Sequence, residues 1–346
     1  MVQEFLQQVF DKGDIYQDEY KGLYSVSEER FITEKEAESG QFHDIKKLQE
    51  KNYFFKMKDY QGQLIEYIEE HETFIQPEHR KNEILGFLRQ PLSDLCISRP
   101  KSRLNWGIEL PFDQDYVTYV WFDALINYVT ATGYGTDDSS FKKWWPANYH
   151  LIGKDILTAH AVYWPTMLLS AGLPLPKTIF AHGWWLSGES KMSKSLGNVV
   201  DPLGLIEEYG VDPVRYYLMR EMVLGQDASF TMESFIKRYN SDLANDFGNL
   251  LSRVSNLLKK FFNGKIPMDE DNSPEGMVIK ENGIKVVSDV WNHIESMRVS
   301  EAIETTLQYI RSVNKYMETM APWKLAKSDN DAAGKVLFTA AEALRI

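Results

Sequence analysis

The sequence contains very little cysteine and no long apolar run. Cys96 is the only cysteine among 346 residues, which excludes an intramolecular disulfide and a metal cluster built from cysteines. The longest apolar stretches, such as residues 161–169, are too short to span a bilayer. The first residues resemble neither a secretory signal nor an arginine-rich transit peptide. Together these absences favour a protein of the reducing cytoplasm.

Basic residues are also scarce relative to acidic ones. Lysine and arginine number 38 against 50 aspartates and glutamates, which gives a formal net charge of −12. Such an acidic chain is a poor unselective binder of nucleic acid, although a local basic face remains possible. The length predicts two or three domains, and 43% hydrophobic with 25% charged residues is typical of a soluble globular protein.

The hydrophobic pattern changes along the chain from mixed, to alternating, to helical. Residues 1–98 mix short helical and extended patterns, and a helix is predicted after Gln76-Pro77. Strand patterns at 116–120, 149–152 and 178–182 alternate with helical ones, which predicts a parallel α/β sheet. From about residue 237 the pattern is that of amphipathic helices, interrupted by a polar loop at 263–283. The fold class is therefore α/β followed by an all-α part.

One five-residue string carries most of the chemical information. It runs from Lys191 to Ser195 and reads Lys-Met-Ser-Lys-Ser, after a turn-prone segment and before Leu-Gly-Asn. Two lysines three residues apart on a loop can neutralise charge that builds on a departing pyrophosphate, and serines add hydroxyl donors. The ordinary alternative for any Lys-x-x-Lys pattern is a solvated loop. This string, however, resembles the KMSKS signature of class I aminoacyl-tRNA synthetases, which implies catalytic roles for Lys191, Ser193, Lys194 and Ser195.

Two predicted helical faces are rich in aromatic residues. The first combines positions i, i+3, i+4 and i+7 from Trp121, and the second combines i, i+4 and i+8 from Ile156. Aromatic rings suit the polarisable sulfur of methionine, whereas the alternative is that both faces are ordinary core. Short strings that also fit the methionyl-tRNA synthetases occur at 97–99, 106–108, 150–155, 164–165 and 182–183. Together with these strings, the two aromatic faces resemble the methionine pocket of that family. The resemblance implies pocket positions for Trp121, Ala124, Leu125, Tyr128, Ile156, His160 and Trp164.

The resemblance also gives those pocket residues individual roles. His160 would be a polar partner near the methionine sulfur, and Tyr128 would buttress it. Leu125 departs from the proline that is common in bacterial members of the family, which puts the rim of the pocket in doubt. Selection by shape distinguishes side chains by roughly 1–3 kcal/mol per methylene, so we expect near-isosteres of methionine to be accepted at some rate.

The ATP site is predicted around the ends of two strands. Asp155 follows a strand end, where a carboxylate can accept hydrogen bonds from ribose hydroxyls; its alternative role is a helix N-cap. The family resemblance favours the ribose. It also assigns Gly153, His182, Gly183 and Lys194 to the ATP and adenosine site. Magnesium is expected to accompany ATP.

No zinc site is expected. Members of the family often carry cysteine knuckles in the insertion between the two halves of the catalytic sheet. The matching residues 24–31 have serine and glutamate where those cysteines would stand. The lack of thiolates disfavours a tetrahedral zinc site there, so no metal ligands are predicted.

The helical part contains a line of polar side chains that could read unpaired bases. Asn245, Asn249 and Arg253 fall at i, i+4 and i+8, and Trp323 begins a later segment. A tryptophan can stack on a base while amides and a guanidinium read base edges. The alternative is helix capping with ordinary surface polarity. The arrangement resembles the family's recognition of the CAU anticodon, which implies that these four residues contact tRNA(Met).

The motifs divide the chain into four predicted segments. Residues 1–98 form a connective insertion, and 99–182 form the second half of a Rossmann-type catalytic domain. Residues 183–236 carry the KMSKS string, and 237–346 form part of a helical anticodon-binding domain. No His-x-Gly-His string is present, and the chain stops within a helical pattern. A piece of a longer protein is therefore expected.

The predicted function is that of a cytoplasmic methionine–tRNA ligase. The partners would be ATP, L-methionine and tRNA(Met), with neither DNA nor membrane involved, and the piece alone is expected to be nearly inactive. A non-catalytic tRNA-binding protein derived from a synthetase is the alternative. A synthetase for leucine, isoleucine or valine is disfavoured, because residues 1–98 do not resemble the large editing insertion of those enzymes.

Overall fold

The computed structural model describes residues 1–25, 30–32, 37, 44–192 and 197–346. The chain divides into two compact units, Met1–Ala181 and His182–Ile346. The predicted catalytic residues Ser193, Lys194 and Ser195 lie outside the described residues, as does much of the segment where zinc ligands were considered. Each unit has its own hydrophobic core. No helix in the described part is long and apolar enough to cross a membrane.

The first unit opens with a helix and a long antiparallel ribbon. The helix α1 spans Val2–Asp11, and the strands β1 and β3 span Ile15–Ser25 and Ile45–Phe55. These two strands pair along their whole length, from Ile15 opposite Phe55 to Ser25 opposite Ile45. Short strands complete a four-stranded sheet in the order β2-β1-β3-β5, where β2 is Arg30–Ile32 and β5 is Leu95–Cys96.

The rest of this unit alternates short helices with two small sheets. The β4-β10-β9 sheet consists of β4 (Ile75–Gln76), β9 (His150–Gly153) and β10 (Ile179–His182). The β6-β8-β7 sheet consists of β6 (Ser98–Pro100), β7 (Glu109–Leu110) and β8 (Asp113–Thr118). The helices are α2 (Gln61–Glu70), α3 (Glu78–Leu88), α4 (Val120–Ala124), α5 (Asn127–Ala131), α6 (Asp138–Trp144) and α7 (Trp164–Ala171).

The prediction that three strands share one parallel sheet is wrong for the first of them. Strands β9 and β10 lie in one sheet, and β10 pairs in parallel with β4 through Ile179 and Ile75. Strand β8 instead pairs antiparallel with β6 and β7 in a separate sheet. Both of its partners are close in sequence, so local antiparallel pairing meets the backbone hydrogen-bonding requirement of this strand without a crossover helix.

A single apolar cluster holds the first unit together. Phe5 and Leu6 of α1, Leu64 of α2 and Phe74 before β4 are almost fully buried, and they pack with Trp164 in one contiguous core. Each large apolar side chain removed from water in this way contributes about 1.5–3 kcal/mol. The core therefore fixes α7 and the strand ends relative to α4 and α5, which carry the candidate site.

The second unit begins with a small sheet and continues as helices. Strand β11 (Trp185–Ser187) pairs antiparallel with β12 (Ser190–Lys191) and in parallel with β13 (Ala228–Phe230). The helices are α8 (Pro202–Tyr209), α9 (Val211–Glu221), α10 (Met232–Arg238), α11 (Asn249–Phe262), α12 (Pro274–Glu295), α13 (Val299–Met320), α14 (Pro322–Leu325) and α15 (Asn330–Arg345).

The helices pack around a core from α11, α12, α13 and α15, with Leu250, Val313 and Leu337 near its centre. The polar segment predicted at 263–283 ends earlier than expected. Helix α12 already begins at Pro274, because Ser273 accepts the Gly276 N–H as N-cap and proline is favourable in a first turn. The sequence pattern predicts a loop here because the first turn of this helix is polar and contains proline and glycine.

A buried carboxylate joins three elements of the second unit. Asp242 lies in a π-helical segment, Tyr239–Gly248, and is 1% exposed. Tyr216 of α9 donates a 2.9 Å hydrogen bond to its Oδ2 atom. Guanidinium groups surround the same carboxylate at 3.5–3.9 Å, from Arg220, Arg238 and Arg311. The network ties α9 and α10 to α13 through one acidic side chain.

Candidate functional site

Aromatic rings of the first unit converge on one histidine. The ring centroids of Trp121 and Tyr128 lie 6.3 and 5.7 Å from that of His160, both in edge-to-face geometry. Tyr128 is also 6.1 Å from Trp164, which is fully buried. The structure thus brings together four of the seven residues predicted to bind methionine, and their rings form one largely buried aromatic cluster.

A chain of hydrogen bonds fixes the ring of His160. Its Nδ1 lies 3.0 Å from the Ile156 carbonyl oxygen, and its Nε2 lies 2.9 Å from the Tyr128 hydroxyl. A carbonyl can only accept, so the imidazole proton is on Nδ1. In the neutral ring Nε2 then accepts, and Tyr128 donates to it. This agrees with the pairing of Tyr128 and His160 that was expected from the sequence.

Burial keeps this histidine neutral. His160 is 3% exposed, and its removal from water lowers its pKa below the ordinary value, an effect that the hydrogen bond to Ile156 only partly opposes. Burial also raises the pKa of the Tyr128 hydroxyl. Both groups are therefore uncharged at neutral pH, and the pocket presents dipoles and aromatic faces rather than charge.

The helix that was predicted to carry Trp121 through Tyr128 on one face is broken. It consists of α4 and α5, separated at Leu125 and Ile126. The Asn127 side-chain amide donates to the Ala124 carbonyl, and the Tyr128 N–H then bonds to Leu125 instead. As a result Leu125 turns into the core at 1% exposed, whereas Ala124 is exposed. The prediction of one continuous face is wrong at these two positions.

The second predicted face is also not a plain α-helix. Residues Lys154–Ile156 form a 3₁₀ turn, and Ala159–Tyr163 form a π-helical turn that leads into α7. Such π turns widen the helix and often occur at functional sites. The π turn places His160 so that its imidazole reaches both Ile156 and Tyr128. Ile156 itself is half-buried and packs against the apolar core of the unit.

The predicted ribose-binding residues lie at the end of β9. Gly153 ends this strand and precedes the 3₁₀ turn in extended conformation, with no side-chain cap. Asp155 lies within the first turn and is exposed, so it does not occupy the N-cap position that was its alternative role. A carboxylate at the carboxyl end of a strand remains suited to ribose hydroxyls, as in many sheets that bind nucleotides.

The residues His182 and Gly183 form the start of the second unit. The His182 ring nitrogen Nδ1 lies 2.8 Å from the Gly183 carbonyl, to which it donates. Gly183 passes so close to the backbone of Gln226 that an added Cβ would lie 2.1 Å from the carbonyl oxygen. Only glycine fits that approach, and it allows β11 to run in parallel with β13 directly afterwards.

The hairpin of β11 and β12 carries Lys191. This lysine is exposed at the end of β12, opposite Leu186. Its ammonium group lies 4.0 Å from the centroid of the Trp184 ring, a cation–π geometry. The Asn198 side-chain amide donates to the Lys191 carbonyl at 3.2 Å. The structure therefore gives the first lysine of the KMSKS string a defined position on a hairpin.

The four residues predicted to contact the anticodon lie on helices of the second unit. Asn245 belongs to the π-helical segment, and Asn249 begins α11; both are exposed. Arg253 lies one turn further and is 3.9 Å from Glu318 of α13. Trp323 is half-buried in the short helix α14. Within the described ranges, no group of three histidine, cysteine, aspartate or glutamate side chains is arranged to hold a metal ion.

Comparison with known proteins places the chain in a family. The family model described as tRNA synthetases class I (M) matches residues 37–255, which is more than half of the chain. The chain belongs to this family, the methionyl-tRNA synthetases. The methionine–tRNA ligases of Clostridium acetobutylicum and Thermotoga maritima are 47% and 43% identical to it, each over 99% of the chain.

Solved members of the family have the same fold. The Mycobacterium tuberculosis methionyl-tRNA synthetase in complex with methionyl-adenylate superposes with a TM-score of 0.92 at 38% identity. That match covers 99% of this chain and 70% of the solved chain. The chain spans 54% and 56% of the length of the two curated relatives, which is about half. The predicted fold class, a mixed α/β part followed by helices, is confirmed.

Sequence reasoning missed one buried residue beside the pocket. The sequence pattern gives His150 no role of its own, yet its ring lies 4.2 Å from that of Tyr128 and 6.4 Å from that of His160. It also accepts a hydrogen bond from the indole nitrogen of Trp164 at 3.1 Å. The available signal was a histidine that opens an otherwise apolar strand, where a polar side chain that becomes buried needs a partner.

Proposed function

We propose that the complete protein activates L-methionine with ATP and transfers it to tRNA(Met). In the first step the methionine carboxylate attacks the α-phosphate of ATP, and pyrophosphate leaves. In the second step a ribose hydroxyl of the tRNA attacks the acyl carbon of methionyl-adenylate, and AMP leaves. Methionyl-adenylate is the ligand of the M. tuberculosis structure that this chain resembles along 99% of its length.

The observation that carries this proposal is the hydrogen-bonded aromatic cluster around His160, which we assign as the lining of the methionine pocket. Tyr128, His160 and the Ile156 carbonyl form a chain in which both side chains are neutral. An unbranched thioether is uncharged and polarisable, so it gains from aromatic edges and loses little on leaving water. The clustered side chains of Trp121, Tyr128, His160 and Trp164 carry no charge that could pair with a charged amino-acid side chain. The pocket therefore supports methionine as the amino acid.

The KMSKS string would supply the charge that the first step needs. Lys191 and Lys194 would neutralise the developing charge on pyrophosphate, with hydroxyl donors from Ser193 and Ser195. Gly153, Asp155, His182 and Gly183 would hold the nucleotide. Magnesium would arrive with ATP, bound by the phosphates, as is usual for this ion.

The helical part of the second unit would bind the anticodon of tRNA(Met). Asn245 and Asn249 expose amides that can pair with base edges, and Arg253 adds a guanidinium one turn further along α11. Trp323 would stack on a base. A local site of this kind is compatible with a net charge of −12, because specific base contacts do not require a basic body.

The chain by itself is expected to be nearly inactive in methionine-dependent pyrophosphate exchange. Its relatives are about twice as long, and no His-x-Gly-His string occurs in the sequence. If the chain functions alone, the remaining role is tRNA binding without catalysis. Pyrophosphate exchange distinguishes the ligase from the tRNA-binding protein when it is measured with and without the upstream half of a relative, supplied as a separate chain. Exchange that is restored by the added half supports the ligase.

Calorimetry with L-methionine tests the pocket directly. We expect saturable binding by the parent chain, loss of binding in His160→Ala, and parent-like binding in His71→Ala. His71 is a matched control because it also stacks on a tyrosine, Tyr67, but is exposed and distant in sequence. Parent-like binding by a folded His160→Ala variant would contradict the assignment. Absence of binding by the folded parent would show that this chain does not hold the complete pocket.

A further inference from the structure

His150 contacts two residues of the predicted methionine pocket, Tyr128 and Trp164. The imidazole is 4% exposed and lies at the first position of β9. One face rests against the Tyr128 ring, with centroids 4.2 Å apart and planes tilted by 35°. On another side its Nε2 receives the Trp164 indole N–H at 3.1 Å. A single side chain thus contacts both the tyrosine that orients His160 and a tryptophan of the pocket.

The directions of the hydrogen bonds fix the state of both histidines. An indole nitrogen can only donate, so Nε2 of His150 accepts and its proton is on Nδ1. In His160 the proton is also on Nδ1, because that atom faces the Ile156 carbonyl. The one hydroxyl proton of Tyr128 goes to His160. The Trp164 N–H therefore bonds to His150 and the Tyr128 O–H bonds to His160, so the two histidines do not compete for one donor.

Among the residues that the structure describes, His150 is the acceptor that the Trp164 indole uses. The tryptophan is fully buried, and Trp145 closes the far side with ring centroids 6.1 Å from Trp164 and 5.9 Å from His150. Trp145 is itself held by a hydrogen bond from its indole to the Pro174 carbonyl. If His150 lost its acceptor, the Trp164 N–H would stay buried without a hydrogen bond, a state that native structures avoid.

We propose that His150 is a positioning residue for the methionine pocket. Its Nε2 holds the Trp164 ring in place, and its ring supports Tyr128, so that Tyr128 keeps its hydroxyl directed at His160. The residue acts through Trp164 and Tyr128. This role rests on the proposed function, because it concerns the affinity of the pocket for methionine.

Two substitutions separate the hydrogen bond from the ring contact. In His150→Gln the Oε1 atom can occupy the place of Nε2 and accept from Trp164, while the aromatic ring is lost. In His150→Phe the ring against Tyr128 is kept and the acceptor is lost. The matched control is His71→Phe, which alters an exposed histidine that also stacks on a tyrosine. Cooperative unfolding of each variant confirms that it is folded.

Two measurements give the outcome. The first is the ¹⁵N–¹H spectrum of the indole groups, in which the Trp164 signal among nine tryptophans is identified by its absence in Trp164→Phe. The second is calorimetry with L-methionine. We expect His150→Gln to keep the parent position of the Trp164 signal and an affinity close to the parent. His150→Phe should shift that signal and weaken methionine binding about tenfold, as for other buried donors that lose a partner.

Opposite results overturn the proposal. A folded His150→Phe variant with an unmoved Trp164 signal would show that His150 does not hold the indole. Parent-like methionine affinity in that variant would show that the hydrogen bond between His150 and Trp164 has no effect on methionine binding. If the folded parent binds no methionine, the failure belongs to the proposed function of this chain. The indole spectra of the glutamine and phenylalanine variants then still decide whether His150 positions Trp164.

Discussion

The Lys191 ammonium group lies 4.0 Å from the centroid of the Trp184 ring, on the hairpin that precedes residues 193–196. Trp184 is itself held at both of its backbone polar groups. Its N–H donates to the Asp227 side chain at 2.9 Å, and its carbonyl accepts from the Ala228 N–H at 2.9 Å. An exposed cation–π contact contributes about 0.5–1 kcal/mol, which holds a lysine in one place and still allows it to leave for a phosphate.

We therefore predict that Trp184→Leu releases the side chain of Lys191. In the chain with ¹³C-dimethylated lysines, the Lys191 methyl signal should lose the upfield shift caused by the indole ring. The Trp144→Leu variant is the control, because Lys143 lies 4.8 Å from the Trp144 ring in a similar arrangement elsewhere. In that variant the Lys143 signal should move and the Lys191 signal should not. An unchanged Lys191 signal in Trp184→Leu would refute the contact.

Removal of one hydroxyl group should weaken methionine binding. In Tyr128→Phe the ring contacts remain, but His160 Nε2 loses the donor that fixes its orientation. A neutral hydrogen bond of this kind contributes about 1 kcal/mol, so the dissociation constant should rise roughly fivefold. Calorimetry measures the change, and Tyr67→Phe on α2 is the control for the loss of a partly buried tyrosine hydroxyl. Equal affinity of Tyr128→Phe and the parent would contradict the role of the hydroxyl.

The stability of the chain should decrease in mild acid because of His150. Burial and the nearby His160 lower the pKa of His150 from 6.5 to about 4. Below pH 6.5 the unfolded chain binds a proton at this residue and the folded chain does not. The free energy of unfolding therefore falls by up to about 1.4 kcal/mol per pH unit until roughly pH 4, where the folded state also becomes protonated.

Urea denaturation between pH 5 and 7 checks this dependence. The His150→Gln variant has no proton to bind at this position, so the slope of its unfolding free energy against pH should be smaller than that of the parent. His160 also has a lowered pKa and contributes in the same direction, and its share remains in the variant. Identical slopes for parent and variant would show that His150 does not titrate differently in the two states.

Neutralisation of Asp242 should destabilise the second unit. Asp242→Asn keeps the side-chain volume but removes the negative charge that faces Arg220, Arg238 and Arg311. Loss of one partner from a buried ion network typically costs about 3–5 kcal/mol. The control is Asp246→Asn, which contacts Arg311 at 2.7 Å from a less buried position and should cost no more than about 1 kcal/mol. Denaturant midpoints that fall equally in both variants would contradict the central role of Asp242.

Trp323→Ala should weaken the binding of an RNA hairpin that carries the CAU anticodon. Stacking on one base contributes roughly 1–3 kcal/mol, so we expect a loss of at least fivefold. Trp291 is a suitable control, because it is an exposed tryptophan of α12 in the same unit. Fluorescence anisotropy with the labelled hairpin measures both variants. A larger effect of Trp291→Ala than of Trp323→Ala would place the RNA elsewhere on the helices.

The sequence predicted those features whose causes are local. Strands β9 and β10 follow from short apolar runs, and α3 begins directly after Pro77, because proline has no N–H to donate and is tolerated only at the start of a helix. The pairing of β8 was mispredicted, since a strand pattern contains no information on its partner. The break at Leu125 depends on the Asn127 side chain reaching the Ala124 carbonyl, which periodicity does not reveal.

In the candidate site, too, the sequence predicts local features but not contacts that depend on the tertiary structure. Residue types selected the candidate pocket side chains, and the structure brings His160 to Tyr128 as the sequence suggested. The contribution of His150 could not be read from spacing, because its partner Trp164 lies fourteen residues away across a π turn. The Trp184–Lys191 contact likewise depends on how a hairpin folds back, and the spacing of seven residues alone does not indicate it.

The two π-helical segments are the places where these helices can lose a residue most easily. A residue in an α-helix turns the chain by about 100°, so deletion of one residue there redirects every later side chain of the same helix by that angle. A π turn bonds residue i to residue i+5 and so holds about one residue more than an α-helical turn. Deletion of one residue within it lets the segment return to α-helical bonding, and the side chains on either side keep their directions. Single-residue deletions within Ala159–Tyr163 or Tyr239–Gly248 that spare His160 and Asp242 are therefore expected to be tolerated better than deletions within the α-helices that follow.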